Sequence, residues 1–121
     1  MTSPQKRKGH VAERAVVKWL RTYGFKANRV QAGRPDDQGD IEGLPGVVIE
    51  VKDRKQHNFE EYFTQLRRQI QAKDAWTGVI ILKRRGHKDP TEWIACMPAY
   101  EWIALLPHWT QMRDKERDVQ P

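Results

Sequence analysis

From Gly9 to about Tyr23 the chain repeats on a helical period, with Glu13, Val16, Val17 and Leu20 falling on one face. Gly24 closes that helix, and Phe25 to Gln31 reads as a first strand. The turn formers of Ala32 to Gly39 then lead to Asp40 and Ile41. Val47 to Val51 is β-branched apart from one glutamate, the mark of a central strand, and Gly43 to Gly46 before it reads as a turn. After a polar connection, Asn58 suits an N-cap for a helix running to about Asp74, whose buried stripe is Phe59, Tyr62, Phe63, Leu66 and Ile70. Trp76 to Leu82 is an apolar strand, Lys83 to Lys88 a basic turn, and Glu92 to Met97 a further strand. Pro98 fits the first turn of a last helix that ends at Leu106.

Helix, three strands, helix, two strands, helix describes a single small α/β domain, a mixed sheet flanked by helices. Residues 9–106 form this domain. Residues 1–8 read as a flexible basic arm, in which Lys6, Arg7 and Lys8 either contact phosphates or are simply solvated. Residues 107–121 are mixed in charge and poor in apolar side chains, so this tail is expected to be partly disordered.

The hairpin around Val47 to Val51 carries the candidate chemistry. Side chains alternate along a strand, so Val48, Glu50 and Lys52 share one face while Val47, Ile49 and Val51 take the other. With Leu44, Pro45 and Gly46 as the loop, Asp40 lies across from Glu50, and two carboxylates and a lysine crowd one patch. Like charges set opposite each other are destabilising unless a cation bridges them. A hard ion such as Mg²⁺ takes one or two carboxylates and keeps waters, one of which Lys52 is placed to orient. The plain alternative is a solvated surface hairpin, and the aliphatic setting of Glu50 argues against it. Asp36 and Asp37, in the loop, rank behind Asp40 as rival ligands.

Glu13 is unusual because it sits on the apolar stripe of its helix, where burial of a carboxylate demands a partner. Either it joins the patch as a third carboxylate or it pairs locally with Arg14 or Lys18.

Charge sharpens the picture. The net charge is +6, yet it is unevenly laid out: residues 1–30 hold eight Lys and Arg against one acidic residue, and residues 31–50 hold one against five. A basic body surrounds one acidic island, an arrangement that non-specific polyanion binding does not need and metal-dependent phosphate chemistry does. Hydrophobic content is 38% and charged content 31%, so the layers are thin and the surface ionic. The single cysteine, Cys96, excludes an internal disulfide and a cysteine-built zinc site. No apolar run suits a membrane span or signal peptide, so a cytoplasmic protein is expected. His10, His57, His87 and His108 lack metal-ligand spacing, and no Gly-rich phosphate loop is present.

Asp40 followed by Glu50-Val51-Lys52 resembles the PD-(D/E)xK nuclease motif. Upstream, Gly9, Glu13-Arg14, Gly24-Phe25 and Arg29 are similar to the pattern of archaeal-type Holliday junction resolvases and their phage and bacterial relatives. The resemblance covers roughly residues 9 to 53. It departs from the family at Gly39, which stands where the motif has proline, while a Pro-Asp pair occurs at Pro35-Asp36. The resemblance implies a restriction-endonuclease-like core and a Mg²⁺-dependent endonuclease, with Mn²⁺ able to substitute, acting on branched or four-way DNA; two matched incisions by a chain with one such site then lead to the expectation of a homodimer. It implies a metal held by Asp40, Glu50 and the Val51 carbonyl, with Glu13 completing the site and Lys52 assisting the water. Phosphate contacts would fall to Lys6, Arg7, Lys8, Arg14, Arg29 and Arg34. Gln65, on the helix after the lysine strand, is either an accessory site residue or an ordinary boundary glutamine. The last helix, with Trp102, Ile103, Leu105 and Leu106 and with Trp93 and Trp109 nearby, either forms the dimer interface or caps the sheet. Two further readings remain open: another nuclease of the superfamily, and a nucleic-acid-binding module without catalysis.

Overall fold

A computed structural model describes residues 3–30 and 39–119. Its elements are α1 (Pro4–Thr22), β1 (Asn28–Arg29), β2 (Ile41–Glu42), β3 (Val47–Lys52), α2 (Phe59–Lys73), β4 (Thr77–Leu82), a short 3-10 turn (Pro90–Glu92), β5 (Ile94–Cys96) and α3 (Ala99–Val119). The order matches the hydrophobic pattern. The strands form one sheet in sequence order, with β3 and β4 parallel and every other pair antiparallel.

The two central strands are covered on both faces, which is why they carry apolar side chains almost continuously. On one face, Ala12, Val16 and Val17 of α1 pack with Ile49, Val51 and Ile81. On the other, Tyr62 and Leu66 of α2 pack with Val48, Ile80 and Leu82. Gly78 lets α2 approach β4 closely: a Cβ there would stand 2.8 Å from Leu66 Cδ1. That contact sets the height of α2 over the sheet.

The boundaries differ from the sequence reading at several places. Residues 4–8 are not a flexible arm but the first turns of α1. The Ser3 hydroxyl accepts from the Lys6 N–H at 3.2 Å and Pro4 supplies the first helical position, so the helix starts before Gly9. β1 is shorter than Phe25 to Gln31: the ladder begins at Asn28, and just before it Arg21 takes the Ala27 carbonyl at 2.9 Å while also donating to the Asn28 side chain at 2.7 Å. On α2, Phe59 is exposed and Gln69 is fully buried in the position expected of an apolar residue. Trp93 is buried in the α1-side core, its indole N–H donating to the His87 carbonyl at 2.7 Å, which removes it from any interface.

The last helix does not stop at Leu106, and its continuation replaces the expected tail through Val119. Pro107 costs the bond to the carbonyl one turn earlier, but its fixed φ is helical, and Gln111, Met112, Arg113, Lys115, Glu116 and Arg117 beyond it are good helix formers. Arg34, Asp36 and Asp37 lie outside the described residues. No helix of the described residues is long and apolar enough to cross a membrane.

Because Leu66 is 1% exposed and carries the seat of α2 on β4, Leu66→Ala is expected to cost about 2–5 kcal/mol by cavity formation. Chemical denaturation measures this, and a loss below about 1 kcal/mol would show that α2 is not seated there.

Candidate functional site

The hairpin joining β2 to β3 has the register that its loop length demands. Ile41 lies opposite Ile49, so Asp40 and Glu50 are opposed, and the Asp40 N–H donates to the Ile49 carbonyl at 2.9 Å. Gly39 makes the entry to this pair possible. Its φ is +96°, and a Cβ would stand 3.0 Å from both the Ile49 carbonyl and Val48 Cγ1, so glycine takes the place a proline holds in the resembling motif. Asp40 then turns back on β3, where its Oδ2 accepts the Val51 N–H at 2.8 Å.

Glu50 is 3% exposed, a carboxylate on the central strand facing α2. The solvated-hairpin alternative is excluded by that burial. Two neighbours answer its charge. Gln69 donates from Nε2 at 2.6 Å, and Lys52 Nζ stands 3.3 Å from Oε2. Gln65 accepts from the same lysine at 3.2 Å, and the Tyr62 ring lies 5.2 Å beneath the ammonium. Lys52 is thereby held between β3 and α2. Gln69 is the site residue that sequence reasoning missed. Its signal was present, since Gln65 and Gln69 are one helical turn apart and both reach the β3 face.

Glu13 is largely buried against the opposite side of Asp40, and its partner is neither Arg14 nor Lys18 but Arg29, at 3.0 Å. Arg14 is exposed. Burial, then the charge of Asp40 and a hydrogen bond with it, push the Glu13 carboxyl up to about 7 despite Arg29. Burial and the Asp40 charge push the Glu50 carboxyl up to about 8, against the opposing pull of Lys52 and Gln69. Three acidic groups crowd together more negative charge than local cations neutralise.

An open cavity of about 450 Å³ brings together Glu13, Asp40, Glu50, Val51, Lys52 and Gln65, and Lys6, Gly9 and His10 of α1 complete its wall. Lys8 lines an adjoining cavity. Arg7 is exposed, and Arg29 reaches the site through Glu13.

Among the described residues, no group of three or more His, Cys, Asp and Glu side chains is arranged to hold a metal ion. Glu13 already answers Arg29 at 3.0 Å while also meeting Asp40. What remains is Asp40 and Glu50, with the Val51 backbone beside them. Two carboxylates and a carbonyl suit a hard divalent cation that keeps several waters, so this donor set fits Mg²⁺.

Comparisons of the chain with protein-family models, with curated proteins and with solved structures found no match.

The raised Glu50 carboxyl gives a stability test in EDTA. Its folded value of about 8 lies above the ordinary 4.5, so the protonated form is favoured by folding. That contribution is fully present below pH 4.5 and is lost as pH rises toward 8. The melting temperature of the wild type is expected to fall across this window by roughly 4 °C per kcal/mol lost, and Glu50→Gln to flatten the fall. Parallel pH curves for the two proteins would show that Glu50 titrates normally.

Proposed function

We propose that this chain is a Mg²⁺-dependent, structure-selective DNA endonuclease that resolves four-way junctions by paired phosphodiester hydrolysis. The observation that carries the reading is Glu50, buried on the central strand beside Asp40 and Lys52 at the floor of a cavity in a basic protein. A core that needed only stability would place an aliphatic residue there.

Asp40, Glu50 and the Val51 carbonyl are the groups that would hold Mg²⁺. Bound there, the cation would neutralise phosphate charge and make its water more acidic. Lys52 is fixed by Glu50 and Gln65, which leaves its remaining N–H to orient the water that attacks phosphorus as the bond to the leaving oxygen breaks. Gln69 supports the Glu50 carboxylate from behind and keeps it aimed at the cavity. Glu13 shapes the field at Asp40, and Arg29 tempers Glu13. Lys6, on the cavity wall, is placed for the phosphate. Work on DNA is consistent with a cytoplasmic location.

Two matched incisions in a junction need two copies of a one-site chain, so the functional unit is a twofold homodimer. Supporting this, α3 leaves Tyr100, Trp102, Ile103, Trp109 and Met112 more than half exposed. The helix is tied to the domain by Thr77, which donates to Glu101 at 3.1 Å, and by Trp76 against His108. Aromatic anchors of this kind are typical of interface centres.

Asp40→Asn, Glu50→Gln and Lys52→Ala are each expected to lower single-turnover cleavage of a four-way junction by about 10²-fold or more, while junction binding survives. Retained cleavage in Asp40→Asn would remove Asp40 from the site. For the assembly, sedimentation at micromolar concentration is expected to give a dimer. Trp102→Glu with Trp109→Glu should then give a folded monomer that binds but no longer makes paired cuts. A wild type that stays monomeric both free and on the junction would favour a single-cut nuclease.

A further inference from the structure

Beside the carboxylate cavity lies a second one of about 620 Å³, and the two share Asp53 and Arg54 in their walls. Its cations come from three separate segments. Lys8 stands on the first turns of α1, Arg54 and Lys55 on the connection after β3, and Arg85 in the basic turn after β4. Among the described residues none of these four takes part in a salt bridge. The one carboxylate in the wall, Asp53, is answered by Lys83 at 3.6 Å. Four converging, uncompensated cations repel one another, and a polyanion relieves that repulsion. The first turns of α1 add to the field: they hold Lys6, Arg7 and Lys8 and no acidic residue, the reverse of what the helix dipole favours.

Gly9 supplies an independent observation. It lies inside α1, where glycine is less stable than alanine. Nothing stands within 4 Å of the place its Cβ would take, so internal packing does not require it. It lines the carboxylate cavity. Bare helix backbone at that point is what the close approach of a bound chain requires.

We infer that the phosphodiester backbone of the DNA passes over α1 at Gly9 and continues from the carboxylate cavity into the basic cavity, held by Lys8, Arg54, Lys55 and Arg85. The inference rests on the DNA-cleavage reading and adds the path of the strand. Phosphates are the ligand, because Lys8, Arg54, Lys55 and Arg85 line the cavity and Pro4 is the one apolar residue in its wall.

The test measures binding of a fluorescent four-way junction by anisotropy, in Ca²⁺, over a range of NaCl concentrations. Lys55→Ala with Arg85→Ala is compared with a control of equal charge, Arg67→Ala with Arg68→Ala, on the exposed side of α2. The first pair is expected to weaken binding tenfold or more and to reduce the slope of log K against log salt by roughly 1.4–1.8, for two lost phosphate contacts. The control pair is expected to leave that slope unchanged. Gly9→Ala should raise the melting temperature while weakening junction binding or cleavage. Equal effects of the two charge pairs would overturn the path through the basic cavity, and a Gly9→Ala protein with undiminished binding and cleavage would overturn the passage over α1. A wild type that binds no DNA would overturn the cleavage reading itself, an outcome separate from either.

Discussion

A carboxylate that is 3% exposed on the middle strand of a thin sheet obliges its neighbours to answer it, and Glu50 is such a group. Gln69 must be buried to reach it, so α2 gives up an apolar position on its inner face. Lys52, two residues on, must share its side of β3, and Gln65 and Tyr62 then hold that lysine in place. Asp40, opposite in the hairpin, adds a like charge where compensation is already incomplete. Each of these arrangements costs stability relative to an aliphatic core.

The scaffold keeps the cost local. α1 and α2 bury separate apolar clusters on the two faces of the sheet, and the acidic groups collect at one end of β3, open to a cavity. Glu13 comes from α1, Asp40 from the entry to β2, Glu50 and Lys52 from β3, and Gln65 and Gln69 from α2. The site is thus built where the helices of both faces meet the edge of the central strands. Helices and β3 supply every group except Asp40, which the turn at Gly39 and the bond from its N–H to the Ile49 carbonyl bring in.

Much of this was legible in the chain. The hairpin register follows from a short loop and strict alternation, so the opposition of Asp40 and Glu50 is contained in the sequence. The half-burial of Glu13 beside Val16 and Val17 is equally plain from helical spacing. Contacts that depend on how elements dock were not legible. Arg29 as the partner of Glu13 requires β1 to lie against α1, and Gln69 as the partner of Glu50 requires the height of α2 that Leu66 and Gly78 set. The ends of α1 and α3 do not follow from composition, because local residues override it. Ser3 and Pro4 start a helix in a basic stretch, and Pro107 does not stop one.

The proposed function requires these crowded carboxylates to take a divalent cation. Calorimetric titration with Mg²⁺ at pH 7.5, in two buffers of different ionisation heat, tests it most directly. With Glu13 and Glu50 held near and above neutrality, binding is expected to release protons, so the apparent heat should depend on the buffer, and Asp40→Asn should abolish it. No binding at millimolar Mg²⁺, or binding with the same heat in both buffers, would contradict the account.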